Sequence, residues 1–186
     1  MNGRNFFSKY SRLIYILYEV YRSLPKFITI FLHGVFRGSR IGVILRYFDL
    51  KLKSLSIGDN VYVANNCVFK NLIFFSCGQN LSIHEFCYID AAGGVEIGNN
   101  VSIAHNCSLV SFEHTWADLK TPIKYNPTKL NSIKIGNDVW LGCGVRVLAG
   151  TVIEDRVIVA AGAVVKGTLE SGYLYGGIPA KKLKKL

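Results

Sequence analysis

The chain has no Cys-x-x-Cys pair, no apolar run of about 18 residues, and only two acidic residues, Glu19 and Asp49, among its first 53. Each absence excludes something. Five cysteines (Cys67, Cys77, Cys87, Cys107, Cys143) stand at unpaired spacings, which argues against a disulfide framework. They read as reduced, small apolar residues of a cytoplasmic protein. Without a long apolar run, no helix is expected to span a membrane. No apolar stretch leads into a small-residue cleavage site, so no signal peptide is expected. No nucleic-acid recognition motif occurs, and none is expected as a partner.

The scarcity of acid leaves residues 1–53 with ten Lys/Arg and a net charge of +8, out of +10 for the whole chain. Four further lysines (Lys181, Lys182, Lys184, Lys185) crowd the end of the sequence. Basic ends on a near-neutral body point to anionic partners. Residues 5–23 have helical periodicity: Leu13, Ile16, Leu17, Val20 and Leu24 share a face, with Lys9, Arg12 and Arg22 elsewhere. Pro25 opens a second short helix through Phe36. Two readings of this segment stay open. It caps the body or a neighbouring subunit, or residues 1–36 make peripheral contact with a membrane.

The middle of the chain carries fifteen hexads, each opened by an apolar residue. They start at 57, 63, 69; 77, 83, 89; 97, 103, 109; 135, 141, 147; and 153, 159, 165. A period of six is neither a helix nor a free strand. It is one short strand plus a corner, three of which close a turn of a triangular solenoid. The steps from 69 to 77 and from 89 to 97 hold two extra residues each, and that from 109 to 135 holds twenty. All three fall at the junction of third face and first, so the insertions stack at one corner. The expected organisation is a basic helical segment (1–54), a hexad solenoid (55–178) with a long loop (112–132), and a basic tail (179–186).

Gly136-Asn-Asp-Val-Trp-Leu-Gly-Cys-Gly-Val145, Val159-Ala-Ala-Gly-Ala-Val-Val165 and Gly176-Gly-Ile-Pro-Ala-Lys181 resemble the hexapeptide-repeat acyltransferases. More narrowly, they resemble sugar and polysaccharide O-acetyltransferases of the maltose and galactoside type. The resemblance covers about residues 55–186. It implies an all-β solenoid, a left-handed parallel β-helix, assembled as a homotrimer with acetyl-CoA bound between subunits and no metal. It also implies that His114, at the root of the long loop, is the general base, since histidine exchanges a proton near neutrality. His84 stands where these enzymes usually carry a transition-state asparagine, and a histidine can donate a hydrogen bond in that role.

The register places Glu85, His105, Cys143 and Ala161 at the third position of successive second-face hexads, in one column with strands ~4.8 Å apart. The resemblance makes this column, with Gly142 and Trp140 beside it, the acetyl-CoA track. It assigns Lys181 and Lys184 to the cofactor's phosphates. The family's Val-Val-Thr-Lys-Asp run stands here as Val164-Val165-Lys166-Gly167-Thr168, a departure at a cofactor contact made by Lys166 and Gly167. Trp116 and Asp118 in the loop suit a sugar, by stacking and by hydrogen bonds to hydroxyls. His114 lies at the opposite corner of its own prism, about 15 Å away across a face of about five extended residues. A shared site between neighbouring chains is therefore expected.

The expected activity is direct acetyl transfer from acetyl-CoA to a sugar hydroxyl in cell-surface polysaccharide or lipopolysaccharide synthesis. Serine or sugar-amine acetyl transfer stays open, as does a non-enzymatic scaffold. Gly98–His105 resembles the γ-class carbonic anhydrases, but Val110 replaces the second zinc histidine expected five residues after His105.

Overall fold

The computed structural model describes residues 3–186; residues 1–2, part of the segment considered for membrane contact, lie outside the described residues. Among the described residues, three helices lead into a parallel solenoid of three sheets. The first face is built from Ser56–Ile57, Phe75–Cys77, Val95–Ile97, Ile133–Ile135, Val152–Ile153 and Thr168–Leu169. The second runs Tyr62–Val63, Ser82–Ile83, Ser102–Ile103, Trp140–Leu141, Ile158–Val159 and Tyr173–Gly176. The third holds Val68–Lys70, Tyr88–Asp90, Ser108–Val110, Arg146–Val147 and Val164–Val165. The hexad phase is thus the phase of the sheets: Ile83 pairs with Ile103, Leu141 with Val159, and Val147 with Val165.

The hexad works because one residue per strand must point inward and the corner must turn without a clash. Ile83, Ile103, Leu141 and Val159 are fully buried, and so are Ile89, Leu109, Val147 and Val165. The corners are turned by residues in the left-handed region. Asn60, Asn80, Asn100, Asp138 and Arg156 occupy it between the first and second faces. Asn66, Phe86, Asn106, Gly144 and Gly162 occupy it between the second and third. Asparagine and glycine tolerate this backbone and bulkier side chains resist it, so Phe86 and Arg156 are the exceptions. The last turn is shorter than the register leads one to expect: Leu169, not residue 171, pairs with Ile153.

At the base, helix α1 (Gly3–Ser23) and α2 (Lys26–Val35) pack with α3 (Arg40–Lys53) against the first turn. Helix α3 is an addition to the two helices read from the periodicity. Ser39 caps it by accepting from the Gly42 amide at 3.2 Å. Gly42 also lets the two helices meet, because a Cβ there would lie 2.1 Å from the Phe36 carbonyl. Lys51 ties the layer to the solenoid. Its ammonium sits 5.0, 5.7 and 5.5 Å from the ring centroids of Tyr15, Tyr18 and Tyr47 and 3.8 Å from the Asp59 carboxylate. The Tyr15 hydroxyl donates to Asp59, a bond that heads the causes pushing its pKa up to about 12.

The final residues differ from a tail. Lys181–Lys185 form a strand antiparallel to Tyr173–Gly176, with Lys181 opposite Gly176 and Lys184 opposite Leu174. The second face ends in an open edge, and the chain doubles back to satisfy it.

Candidate active site

Both edges of the third face carry site residues. Between the second and third faces lies a corner of constant length. Successive turns are stitched there by the same backbone bond: Phe86 N to Asn65 O, Asn106 N to Glu85 O, Gly144 N to His105 O and Gly162 N to Cys143 O. Residues 65, 85, 105, 143 and 161 are therefore one column, as the register requires. Gly142 must be glycine in this geometry, since a Cβ would come within 2.7 Å of the Ala161 nitrogen and 2.9 Å of the Val159 carbonyl. At Gly142, Cys143 and Ala161 the edge is thus lined by backbone and small side chains, with exposed His105 in the turn below and Trp140 half exposed on the adjoining second face. His84 belongs to the same corner. Its ring is 5.7 Å from that of Tyr62, its amide donates to Ile103, and its carbonyl accepts from the Cys67 thiol at 3.1 Å.

Behind this edge the fifth hexad positions stack as thiols, buried at Cys87 and Cys107 and half-buried at Cys67. Cys67, Cys87 and Cys107 each point at the carbonyl of the turn above, at 3.1, 3.2 and 3.2 Å. The Cys67 pKa is raised, first by its hydrogen bond to Cys87 and then by burial, and Cys87 is pushed up to about 11, first by its bond to Cys107. Cys67 and Cys87 are packing residues with little thiolate at neutral pH, whereas the Cys107 pKa is lowered, first by its hydrogen bond to Cys87. Cys143 is a free, partly exposed cysteine on the track itself.

The other edge, between third face and first, is irregular. A polar ladder fixes it. Asn71 donates to the Asp90 carboxylate at 2.7 Å, and the Ser111 hydroxyl donates to the Asp90 carbonyl at 2.8 Å. Gly93 N donates to the Ser111 hydroxyl at 2.9 Å, and Asn131 N to the Ser111 carbonyl at 3.0 Å. Asp90 and Ser111 are buried, so these bonds satisfy groups that would otherwise be costly. From this platform the long insertion leaves as a hairpin, Phe112–His114 against Thr128–Leu130, with His114 opposite Thr128. His114 is exposed, its ring 6.4 Å from that of Phe112. Side chains alternate along the strand, so the neighbouring Glu113 points away, and it is held by Lys166 at 3.0 Å.

The insertion beyond the hairpin is a closed loop. Buried Asn126 knots it, donating to the Thr121 carbonyl at 2.8 Å and accepting from Asp118 N at 3.1 Å. The Asp118 carboxylate accepts from Thr121 Oγ1 at 2.7 Å and Lys120 N at 2.9 Å, which together lower its pKa. Asp118 thus shapes a turn, a role its sequence position did not reveal. Trp116 is left 68% exposed beside it.

The sequence-derived residues therefore divide into two sets. His84, Gly142, Cys143 and Ala161 share the regular edge, and Trp140, Lys181 and Lys184 lie on the sheet leading to it. His114, Trp116, Asp118, Lys166 and Gly167 share the irregular edge. Lys166 and Gly167, expected at a cofactor contact, lie at the edge opposite the Cys143/Ala161 column. Asp90, Ser111, Asn126 and Glu113 were not singled out from sequence, although all but Asn126 end or follow a third-face strand. A concavity of about 900 Å³ along the first face, by Ser76, Glu96, Lys134 and Glu154, contains none of these site residues.

Comparison with known proteins agrees with this architecture. The family described as bacterial transferase hexapeptide (six repeats) matches residues 132–167. The putative lipopolysaccharide biosynthesis O-acetyl transferase WbbJ of Escherichia coli is 30% identical over 143 residues, which span 71% of this chain and 72% of that protein. The chain belongs to the hexapeptide-repeat acetyltransferases. Two solved structures of this kind share its fold. A galactoside acetyltransferase in complex with coenzyme A has a TM-score of 0.73 at 23% identity, covering 86% of this chain and 80% of that one. A maltose O-acetyltransferase from Clostridium difficile has a TM-score of 0.71 at 21% identity, covering 97% and 88%. A hexapeptide-repeat acetyltransferase is thus built here on two separated edges of one prism.

Proposed function

We propose that this acetyltransferase moves an acetyl group from acetyl-CoA to a sugar hydroxyl in the synthesis of a cell-surface polysaccharide or lipopolysaccharide. The observation that carries the reading is the pairing of a smooth backbone edge with an exposed histidine on the one long insertion. The relatives' names supply the chemistry: one is assigned to lipopolysaccharide, another acts on galactosides and was solved with coenzyme A. The thioester lies along the Cys143/Ala161 column, with Gly142 leaving room, Trp140 alongside, and Lys181 and Lys184 toward the phosphates. Lys166 and Gly167 contact cofactor from the other edge.

The His114 imidazole takes the proton of the acceptor hydroxyl as its oxygen forms a bond to the thioester carbon. The resulting oxyanion is stabilised by donors at the site, His84 among them. Its collapse breaks the carbon–sulfur bond, and the CoA thiolate recovers the proton from the imidazolium. Trp116 stacks on the sugar, and Asp118 holds the loop that presents it.

Both sets cannot serve one site within one chain, because the third face lies between them. The working form is a homotrimer in which His114 of one chain meets the track of the next. The enzyme is cytoplasmic, in keeping with five free cysteines, and meets the membrane's inner face through residues 1–36. Mixing two inactive variants tests the shared site directly. His114→Ala and Ala161→Trp homomers should each fail to release thiol from acetyl-CoA with a sugar acceptor, while co-refolded mixtures should regain part of the activity. No recovery places both residues in one chain's site. A burst of covalent acetyl-enzyme rejects direct transfer.

A further inference from the structure

Helix α1 is apolar on two sides. Ile14 and Tyr21 are buried against the protein, yet Leu13, Ile16, Leu17 and Val20 are roughly half exposed at spacings of three, four and seven. A helix that docks on one surface needs one apolar stripe; the second must face something else. Helix α2 repeats the pattern, with Phe27, Ile30 and Phe31 each about two-thirds exposed on one face and no buried residue. Only Leu24 and Pro25 separate the helices, so the two stripes follow each other across one tight turn.

Cations are interspersed with these stripes along the chain, Arg22 pairing with Glu19 at 3.3 Å and Arg37 donating to Asn66. Lys9, Arg12, Arg22 and Lys26 lie on or between the helices, and Arg37 and Arg40 follow them, against Glu19 alone in that stretch. No described helix is long and apolar enough to cross a membrane, and α1 carries Lys9, Arg12, Glu19 and Arg22 among its apolar residues. Such a helix lies along an interface instead. The charge also selects the occupant. A second copy seated on this face would bring two basic segments together, whereas an acidic lipid surface attracts each cation.

Resting on the peripheral placement proposed above, we infer that the exposed stripes of α1 and α2, with the cations interspersed among them, form a docking surface for an anionic lipid bilayer. The rest of the helical layer suits a rigid mount. Tyr21 donates to Asp49 at 2.7 Å, Lys53 holds the same carboxylate at 2.6 Å, and Lys51 sits in its aromatic cage. Docking would therefore orient the solenoid with its first turn toward the lipid.

Vesicle flotation tests this with the full-length protein. The wild type should float with phosphatidylcholine vesicles containing phosphatidylglycerol, far less with phosphatidylcholine alone, and less as salt is added. Ile16→Asp combined with Phe31→Asp should cut the bound fraction by about tenfold or more. Arg12→Glu with Lys26→Glu should weaken binding to the acidic vesicles alone and leaves the apolar stripes intact. All variants should keep the wild-type circular dichroism, oligomer mass and thiol release with a soluble sugar. A wild type that stays in solution with acidic vesicles overturns the proposal. So does a charge-reversed variant that floats unimpaired, or an apolar-face variant whose subunit count changes, which would give the face to a second copy. If the wild type floats but releases no thiol with any acceptor, the transferase reading fails and the docking surface stands.

Discussion

The two edges of the third face are made from the same hexads and do opposite things. The edge between second and third faces admits no insertion, and every turn repeats the same amide-to-carbonyl stitch. It presents a straight line of repeating backbone groups, bordered by small side chains at Gly142, Cys143 and Ala161. That suits a long thin ligand. The edge between third and first faces absorbs every extra residue, so it presents groups that occur once, such as His114 and Trp116. Regularity gives a straight edge, and its interruption gives the exposed His114 proposed as the base. Their separation across one face is the reason a site shared between neighbouring chains is proposed.

The sharpest way to break this comparison is to remove the unique group. His114→Ala should lower thiol release about 10²–10⁴-fold, with oligomer mass and thermal stability unchanged, as steady-state kinetics and light scattering would show. Unchanged turnover would move the base elsewhere. A smaller effect is expected at the track. Ala161→Leu should raise the KM for acetyl-CoA by about tenfold, or about 1.4 kcal/mol, with kcat nearly kept. A fall in kcat at constant KM would mean that the column touches the reacting atoms instead.

Smaller still is the strain at Phe86. It holds φ at 60°, where its neighbours in the column are asparagine or glycine, and it is exposed. Phe86→Asn should stabilise the fold by about 0.5–1 kcal/mol, read as a higher Tm. Stabilisation coupled to lost activity would mark Phe86 as a ligand contact held in a costly conformation. Least of all, Glu113→Gln removes a partly exposed ion pair with Lys166 and should cost about 0.2–1 kcal/mol. Hydrogen exchange in the hairpin would rise even if global stability did not.

The fold was legible because it repeats. One apolar residue every six positions sets the strand phase, and the site of the insertions sets which edge breaks the pattern. Helix α3 escaped, although Ser39 and the lysines of its last turn are ordinary helix punctuation, because its buried face is broad and includes Tyr47 beside Phe48. The closing strand escaped because Lys-Lys-Leu-Lys-Lys has no strand character of its own; the open edge of Tyr173–Gly176 makes it one. Among site residues, the column followed from counting. The use of Asp118 within its loop, and of Glu113 and Lys166 as a clasp, depends on contacts between segments 3 to 53 positions apart, which counting does not reach.

Because the hairpin closes through Phe112 opposite Leu130, everything between those residues is a side branch of the solenoid. Chain length elsewhere in the repeats acts as an angular coordinate: gaining or losing one hexad swings all that follows by about a third of a revolution. Within the branch, length carries no angle. The loop from Thr115 to Pro127 can be lengthened, shortened or recomposed while His114 and Cys143 keep their bearings. On the proposed reading of the loop, acceptor preference can thus drift freely on a molecule whose alignment is locked.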